Sequence, residues 1–376
     1  MRKKKAIVAG HICLDITPVF PNQKTDGIHE LLLPGKLIQM EGVDVHTGGA
    51  VANTGLAMKL LGNDVRLMGK IGSDAFGKMV LEILKEYGVD QGMIVSEQST
   101  TSYSVVVAVP GNDRIFLHDP GANNTFCEED LDWEQIAEAD LFHFGYPPLM
   151  RQMFQKNGEE LCSVLERVKS LGCAVSLDMA AVDPASEAGR EDWRKILERV
   201  LPYVDFFVPS VEELCFMLDR PRYDMWNQKA AGRDITEIIR QEDVAALGEQ
   251  AIALGAKVVL IKCGAPGIYF QSTDASRLET LCEKLSLKPE EWAGKQGFEK
   301  SYVPERICSG TGAGDTSIAA FLTSVLQGES MEEALRMAAA TGACCVASYD
   351  ALGGLKPLEE LKEKIQNGWQ KTDYIF

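Results

Sequence analysis

Histidine is scarce in this chain. There are five in 376 residues, none at metal-ligand spacing from a cysteine, which argues against a structural zinc site. No CxxC pair occurs either. The ten cysteines lie scattered from Cys13 to Cys345, several of them inside apolar runs, as expected for reduced, mostly buried thiols of a cytoplasmic protein. No stretch supplies the roughly 18 consecutive apolar residues of a membrane span. The basic start Met1-Arg2-Lys3-Lys4-Lys5 is followed by only Ala6-Ile7-Val8-Ala9-Gly10 before Asp15, too short for the apolar core of a signal peptide and better read as a first buried strand. Positive charge is short as well. Against 38 Lys and Arg stand 55 Asp and Glu, a net charge of −17 that excludes a nucleic-acid backbone as a general partner. It does not exclude a nucleotide, because backbone N–H groups and a divalent cation can hold phosphate inside an acidic protein.

What the chain does have is a 45% hydrophobic content, enough for a large core, and a repeated strand–helix rhythm. Apolar runs at 141–144, 174–177, 206–208 and 258–261 end at Gly145, Asp178, Pro209-Ser210 and Lys262-Cys263-Gly264. Helical patterns at 159–170, 192–201 and 244–254 lie between or after them. Such spacing predicts a parallel sheet covered on both faces, with ligands gathering beyond the carboxyl ends of the strands. Residues 12–46 lack a long helical pattern, and 101–118 reads as a hairpin tipped by Pro110-Gly111. These two segments are expected to form a small sheet beside the main body, a lid. Residues 219–241 and 272–304 are rich in polar and charged side chains and read as surface insertions; the charges between Arg220 and Arg233 fit a solvated face. No internal repeat is apparent, so the chain is expected to be one domain over 1–376.

The richest local signal is Cys308-Ser309-Gly310-Thr311-Gly312-Ala313-Gly314-Asp315, followed by Ile318, Phe321, Leu322, Val325 and Leu326 at helical spacing and by Gly328. Glycines let bare N–H groups converge at a helix start, where they favour bound negative charge. Asp315 there has three readings: a helix-start charge, part of some other anion site, or a base taking a proton from a hydroxyl that attacks a phosphoryl group.

Three segments in order, Gly48-Gly49-Ala50-Val51-Ala52-Asn53, Gly69-Lys70-Ile71-Gly72-Ser73-Asp74 and Gly310-Thr311-Gly312-Ala313-Gly314-Asp315, resemble the signatures of the ribokinase-like (PfkB) family of carbohydrate and nucleoside kinases. The resemblance spans Ile7 to about Ala347. It implies an α/β three-layer sandwich with a mainly parallel central sheet and a small β lid, and transfer of the γ-phosphoryl of ATP, with Mg2+, to a hydroxyl of a sugar or related polyol. It casts Asp315 as the catalytic base and the N–H groups of Gly312, Ala313 and Gly314 as the anion hole. Asp15, Gly48, Gly49 and Asn53 fall at substrate positions, with Phe116 and Asn123 as weaker pocket candidates. His11, at a strand end, fits a structural role better than that of a base, and Asn53 also suits a helix-start cap.

On the nucleotide side, Ser210-Val211-Glu212-Glu213 stands where the family carries Asn-x-x-Glu. Glu213 keeps the acid that would act on Mg2+ through water, and Ser210 replaces the amide. Lys262, Gly264, Gly267 and Thr311 match positions near the phosphates, although Lys262 also suits a surface lysine. Ser309-Gly310 replaces the family's Asp-Thr, which leaves a monovalent-cation site in question. Lid sheets in this family often pair between subunits, so a homodimer through the lid is open. A non-catalytic sugar or nucleotide binder is the alternative to a kinase. Among kinases, simple sugars compete with sugar acids, which would want a cation such as Lys36, Lys70 or Arg114, and with cyclitols and nucleosides, for which Phe116 offers a flat surface.

Overall fold

A nine-stranded sheet runs through the molecule. The computed structural model describes residues 2–21, 33–109, 115–231, 235–348 and 350–374. In chain order its strands are β1 (Lys5–Gly10), β2 (Cys13–Val19), β3 (Gly42–Gly48), β4 (Asp64–Gly72), β5 (Met93–Ser96), β6 (Tyr103–Val107), β7 (Ile115–Asp119), β8 (Leu141–Gly145), β9 (Ala174–Asp178), β10 (Phe206–Phe207), β11 (Val258–Lys262), β12 (Gly267–Ser272) and β13 (Gln296–Lys300). The large sheet has the order β13-β12-β11-β10-β9-β8-β1-β4-β5. From β5 to β11 every pairing is parallel; β12 and β13 close one edge antiparallel.

The parallel part needs both faces covered, and alternation along each strand does this. Ile7 and Ala9 enter one hydrophobic core with Phe142, Phe144 and Phe207, while Ala6, Val8, Leu141 and Phe206 enter the other. The first core is completed by residues of the helices Arg151–Ser170, Trp193–Val200, Val211–Leu218 and Gln241–Ala253. The second takes those of Gly49–Leu60, Ala75–Glu86, Ala275–Leu285 and Ala313–Gln327. This is the three-layer α/β sandwich expected from the sequence.

Strands β3-β2-β6-β7 form the separate small sheet. Its register places His46, Asp15, Ser104 and His118 in one row across all four strands. The expected hairpin of 101–118 is present as β6 against β7; its tip at Pro110-Gly111, and Arg114, lie outside the described residues.

The two polar segments are more deeply built in than their composition suggests. Within 272–304, Leu278, Leu281, Cys282 and Leu285 recur at helical spacing and are buried, and Trp292 packs edge-on against Phe206 and Phe321. Between 219 and 241, Trp226, Ile235 and Ile239 are buried in the first core. These segments cover the sheet rather than decorate it, because a few apolar residues at period 3.6 suffice to fix a mostly polar helix.

Candidate active site

The carboxyl ends of β1, β8, β9 and β11 deliver His11, Tyr146, Asp178 and Lys262 to one side of the sheet, and two helices begin there. Gly48 and Gly49 open one of them. A Cβ at Gly48 would lie 2.2 Å from Asp15 Oδ2, and one at Gly49, whose φ is +83°, would lie 2.5 Å from His11 Nδ1. The glycine pair, expected at substrate positions, therefore makes room for two polar side chains of the protein itself.

The other helix, Ala313–Gln327, starts from Gly312 in the left-handed region (φ 71°) and stops at Gly328 (φ 80°). Asp315 lies in its first turn and is 5% exposed. Its carboxylate accepts hydrogen bonds from Asn53 Nδ2 at 3.0 Å, from Tyr146 OH at 2.7 Å and, longer, from Thr54 Oγ1 at 3.4 Å. A buried carboxylate held by three donors from two other elements keeps one orientation and is well placed to receive a proton. Asn53 is thus a partner of Asp315 as well as a lining residue. In this conformation the Ala313 N–H donates to Gly310 O at 3.3 Å, and the Ser317 hydroxyl donates to Ala313 O at 2.7 Å. Of the three N–H groups expected in the anion hole, that of Ala313 is therefore engaged within the loop. Ser309 and Thr311 close a small side-chain turn, with Ser309 Oγ donating to Thr311 Oγ1 (3.0 Å) and accepting from Thr311 N (3.1 Å).

Lys262 is drawn inward. Its Nζ donates to both Asp178 oxygens, at 2.8 and 3.0 Å, and its stem packs beside Gly314. Burial alone would lower the ammonium pKa, but Asp178, Glu213 and Asp315 outweigh it and raise it. Burial pushes the fully enclosed Asp178 carboxyl up to about 8; Lys262 pulls it down, and Glu213 and Asp315 push it further up. Burial drives the Asp178 shift, and the three surrounding carboxylates drive that of Lys262. That excess of negative charge beside a helix start suits a divalent cation, and Asp178 and Glu213 are the oxygen donors that would balance it.

The remaining nucleotide-side expectations fare differently. Ser210 and Glu213 cap each other: Ser210 N donates to Glu213 Oε2 at 2.7 Å and Glu213 N to Ser210 Oγ at 3.2 Å. This is a capping box that starts the helix Val211–Leu218, so the Ser210 hydroxyl is already committed. Gly264 and Gly267 form the turn between β11 and β12, and a Cβ at Gly267 would lie 2.1 Å from Glu299 O. The close contact is at Gly267 alone; a Cβ at Gly264 (φ +64°) would meet only Thr236 Cγ2, at 3.4 Å.

A cavity of about 780 Å3 opens beside Asp315, and Asp178, Glu213 and Lys262 are not among its lining residues. His11, Asp15, Gly49, Asn53, Phe116 and His118 line it, together with Tyr146, Thr311, Gly312 and Asp315 and an apolar wall that includes Leu149, Phe154 and Val182. Asp15 is mostly enclosed; burial raises its carboxyl pKa, while hydrogen bonds from Cys13 and Ser104 pull it down. Asn123, expected in the pocket, is instead fully buried beneath it. Its amide donates to Ile12 O at 2.9 Å and accepts from Ile12 N at 3.1 Å, clamping the link between β1 and the small sheet. Asp178 stands at a strand end where ligands are expected, though with no role assigned from sequence, and Tyr146 joins the site unassigned. Their signal was position alone, directly at or after a strand end in an open α/β sheet. Lys70, weighed as a cation for sugar acids, pairs with Asp130 at 2.8 Å and is not among the lining residues.

A buried, triply held carboxylate at a glycine-rich helix start, opening on a polar cavity beneath a small sheet, defines a phosphotransferase of carbohydrate-kinase type. Residues 9–356 match the pfkB family of carbohydrate kinases, and the chain belongs to that family. It is an ATP-dependent sugar or nucleoside kinase. Among its relatives, an uncharacterized sugar kinase of Archaeoglobus fulgidus is 24% identical over 300 residues, covering 80% of this chain and 98% of that one. The 5-dehydro-2-deoxygluconokinase of Clostridium perfringens is 23% identical over 377 residues, covering 99% and 95%. Among solved structures, the fructokinase of Xylella fastidiosa with bound ATP superposes with a TM-score of 0.69 at 21% identity, covering 97% of this chain and 99% of that one.

Proposed function

We propose that this kinase transfers the γ-phosphoryl of ATP to a hydroxyl of a small sugar lying between Asp15 and Asp315, with Asp315 as the base. The observation that carries the reading is the Asp315 carboxylate itself, buried in the wall of the cavity and fixed by Asn53 and Tyr146. The attacking hydroxyl gives its proton to Asp315 as the bond to phosphorus forms, so the base is needed late in the transfer. Gly312 and Gly314 leave bare backbone at the helix start, where the developing negative charge would lie. Lys262, pulled toward the same point by Asp178, adds a fixed positive charge. Mg2+, held through Asp178 and Glu213, would neutralise charge on the phosphates. Asp15 would accept hydrogen bonds from substrate hydroxyls, and the small sheet would exclude water that otherwise hydrolyses ATP.

The test is ATP turnover by the protein with a panel of sugars, with and without Mg2+. Sugar-dependent and Mg2+-dependent ADP formation is expected. ADP formation that no sugar accelerates would contradict the reading.

The outer strand β7 carries Ile115, Phe116 and Leu117, each between 43% and 56% exposed, which supports a homodimer through the small sheet. Sedimentation equilibrium should then give about twice the 41.2 kDa chain mass, whereas a single-chain mass would remove the proposal. All ten cysteines are free thiols, six of them buried, in keeping with a reducing cytoplasmic setting. Among the described residues no helix is long and apolar enough to cross a membrane.

A further inference from the structure

His11 is 2% exposed, lines the cavity, and has no hydrogen-bond partner for either ring nitrogen. Across from it, His118 is held through Nδ1 by the Ser104 hydroxyl at 3.0 Å, and its Nε2 has no partner either. The two ring centroids are 5.1 Å apart. Three imidazole nitrogens thus go unsatisfied where two side chains meet one cavity, an arrangement that a ligand completes. His143 also carries an unpartnered Nε2, but it sits inside the sheet on β8, bonded to Ser176 and away from the cavity lining. The sequence builds the His11 position: Gly49 lacks the Cβ that would strike Nδ1, and Gly10, at φ +123°, avoids a contact of 2.3 Å with Gly145 O.

Resting on the kinase reading above, we propose that His11 is a substrate-binding residue and that, with His118, it selects an uncharged polyhydroxylated substrate over a sugar acid or sugar phosphate. A neutral imidazole offers one donor and one acceptor, the same pair that a hydroxyl presents in return. Burial, and for His11 the neighbouring His118 ring, lower both pKa values and keep these imidazoles uncharged. An anionic group on the sugar would meet the Asp15 and Asp315 carboxylates in the same cavity. Among the described lining residues the basic side chain is Arg151, already paired with Glu187 at 2.9 Å. The lining thus disfavours the acid named in the Clostridium perfringens relative.

Titration calorimetry with D-ribose, D-fructose, myo-inositol, adenosine and 2-keto-3-deoxygluconate tests this on the full chain. It is run alongside product formation for wild type, His11→Phe and His11→Gln. The tightest ligand should be uncharged. His11→Phe should weaken it at least 10-fold, raising KM more than it lowers kcat, and His11→Gln, which keeps a donor and an acceptor, should restore part of the loss. Removing the one substrate hydroxyl that His11 reads should cost wild type about the same factor and cost His11→Phe nothing. Tightest binding of 2-keto-3-deoxygluconate, wild-type affinity in His11→Phe, no binding of any uncharged compound, or equal losses in both variants for every analogue would each overturn the proposal. Sugar binding with the expected His11 dependence but no phosphate transfer would uphold the assignment and count against the kinase reading instead.

Discussion

Tyr146 occupies the left-handed region (φ 66°, ψ 45°), a conformation that costs a non-glycine residue of its kind roughly 1–3 kcal/mol. Its neighbours explain why it is held there. Pro147 bars the right-handed helical region to the residue before it, and Gly145 ends β8 where a Cβ would press on Ala50 at 2.1 Å. The strained turn aims the phenol at Asp315 Oδ1. A hydrogen bond to a charged group contributes about 1.5–3 kcal/mol, so its loss corresponds to roughly 10- to 100-fold in rate if it matters in the transition state. Tyr146→Phe should therefore lower kcat by about that factor, with sugar KM moving much less. A steady-state comparison showing wild-type kcat would remove Tyr146 from the orientation of the base. Only its place after a strand end marks this tyrosine in the sequence. Its meaning lies in a contact across 169 residues, which periodicity and short motifs do not report.

At the scale of elements, the sequence is most legible where one face or one spacing decides the outcome. The four apolar runs became β8, β9, β10 and β11, and the helix after Asp315 runs from Ala313 to Gln327, ending at Gly328 as its glycine implied. Asp15 and Asn53 reach the cavity because their elements begin or end there. Side-chain partners were not legible. Asn123, a pocket candidate, is spent on Ile12, and Ser210, a nucleotide-side candidate, is the first residue of a capping box with Glu213. Residues 272–304 looked superficial because polar residues outnumber the apolar ones, yet Leu278, Leu281, Leu285 and Trp292 lock them against the sheet. Composition averages over a face that the helix period keeps separate.

For the molecule as a whole, buried neutral histidines tie stability to pH. Burial, with Lys262 nearby, holds His143 down to about 3, far below the usual 6.5. Below pH 6.5 the unfolded chain takes up a proton there that the native state refuses. The stability this neutral ring contributes is therefore fully present above 6.5 and is lost as pH falls toward 3. Burial also raises the Asp178 carboxyl against the pull of Lys262, and a raised carboxyl acts with the opposite sign, its contribution to stability falling as pH rises. A difference between variants isolates the first effect. Urea unfolding of wild type and His143→Gln at pH 7.5 and 5.5 should show wild type losing about 1.4 kcal/mol more across that interval. Parallel pH profiles would contradict the buried neutral assignment.

The sheet ends, the two helix starts and the small sheet converge on one claim, that Asp315 receives the proton of the attacking hydroxyl. Single-turnover phosphoryl transfer by Asp315→Asn, with sugar and Mg–ATP both saturating and their dissociation constants measured separately, tests it most directly. The variant should fold, bind both substrates within a few-fold of wild type, and transfer phosphate roughly 10²–10⁴-fold more slowly. Transfer at a rate within a few-fold of wild type would contradict the account.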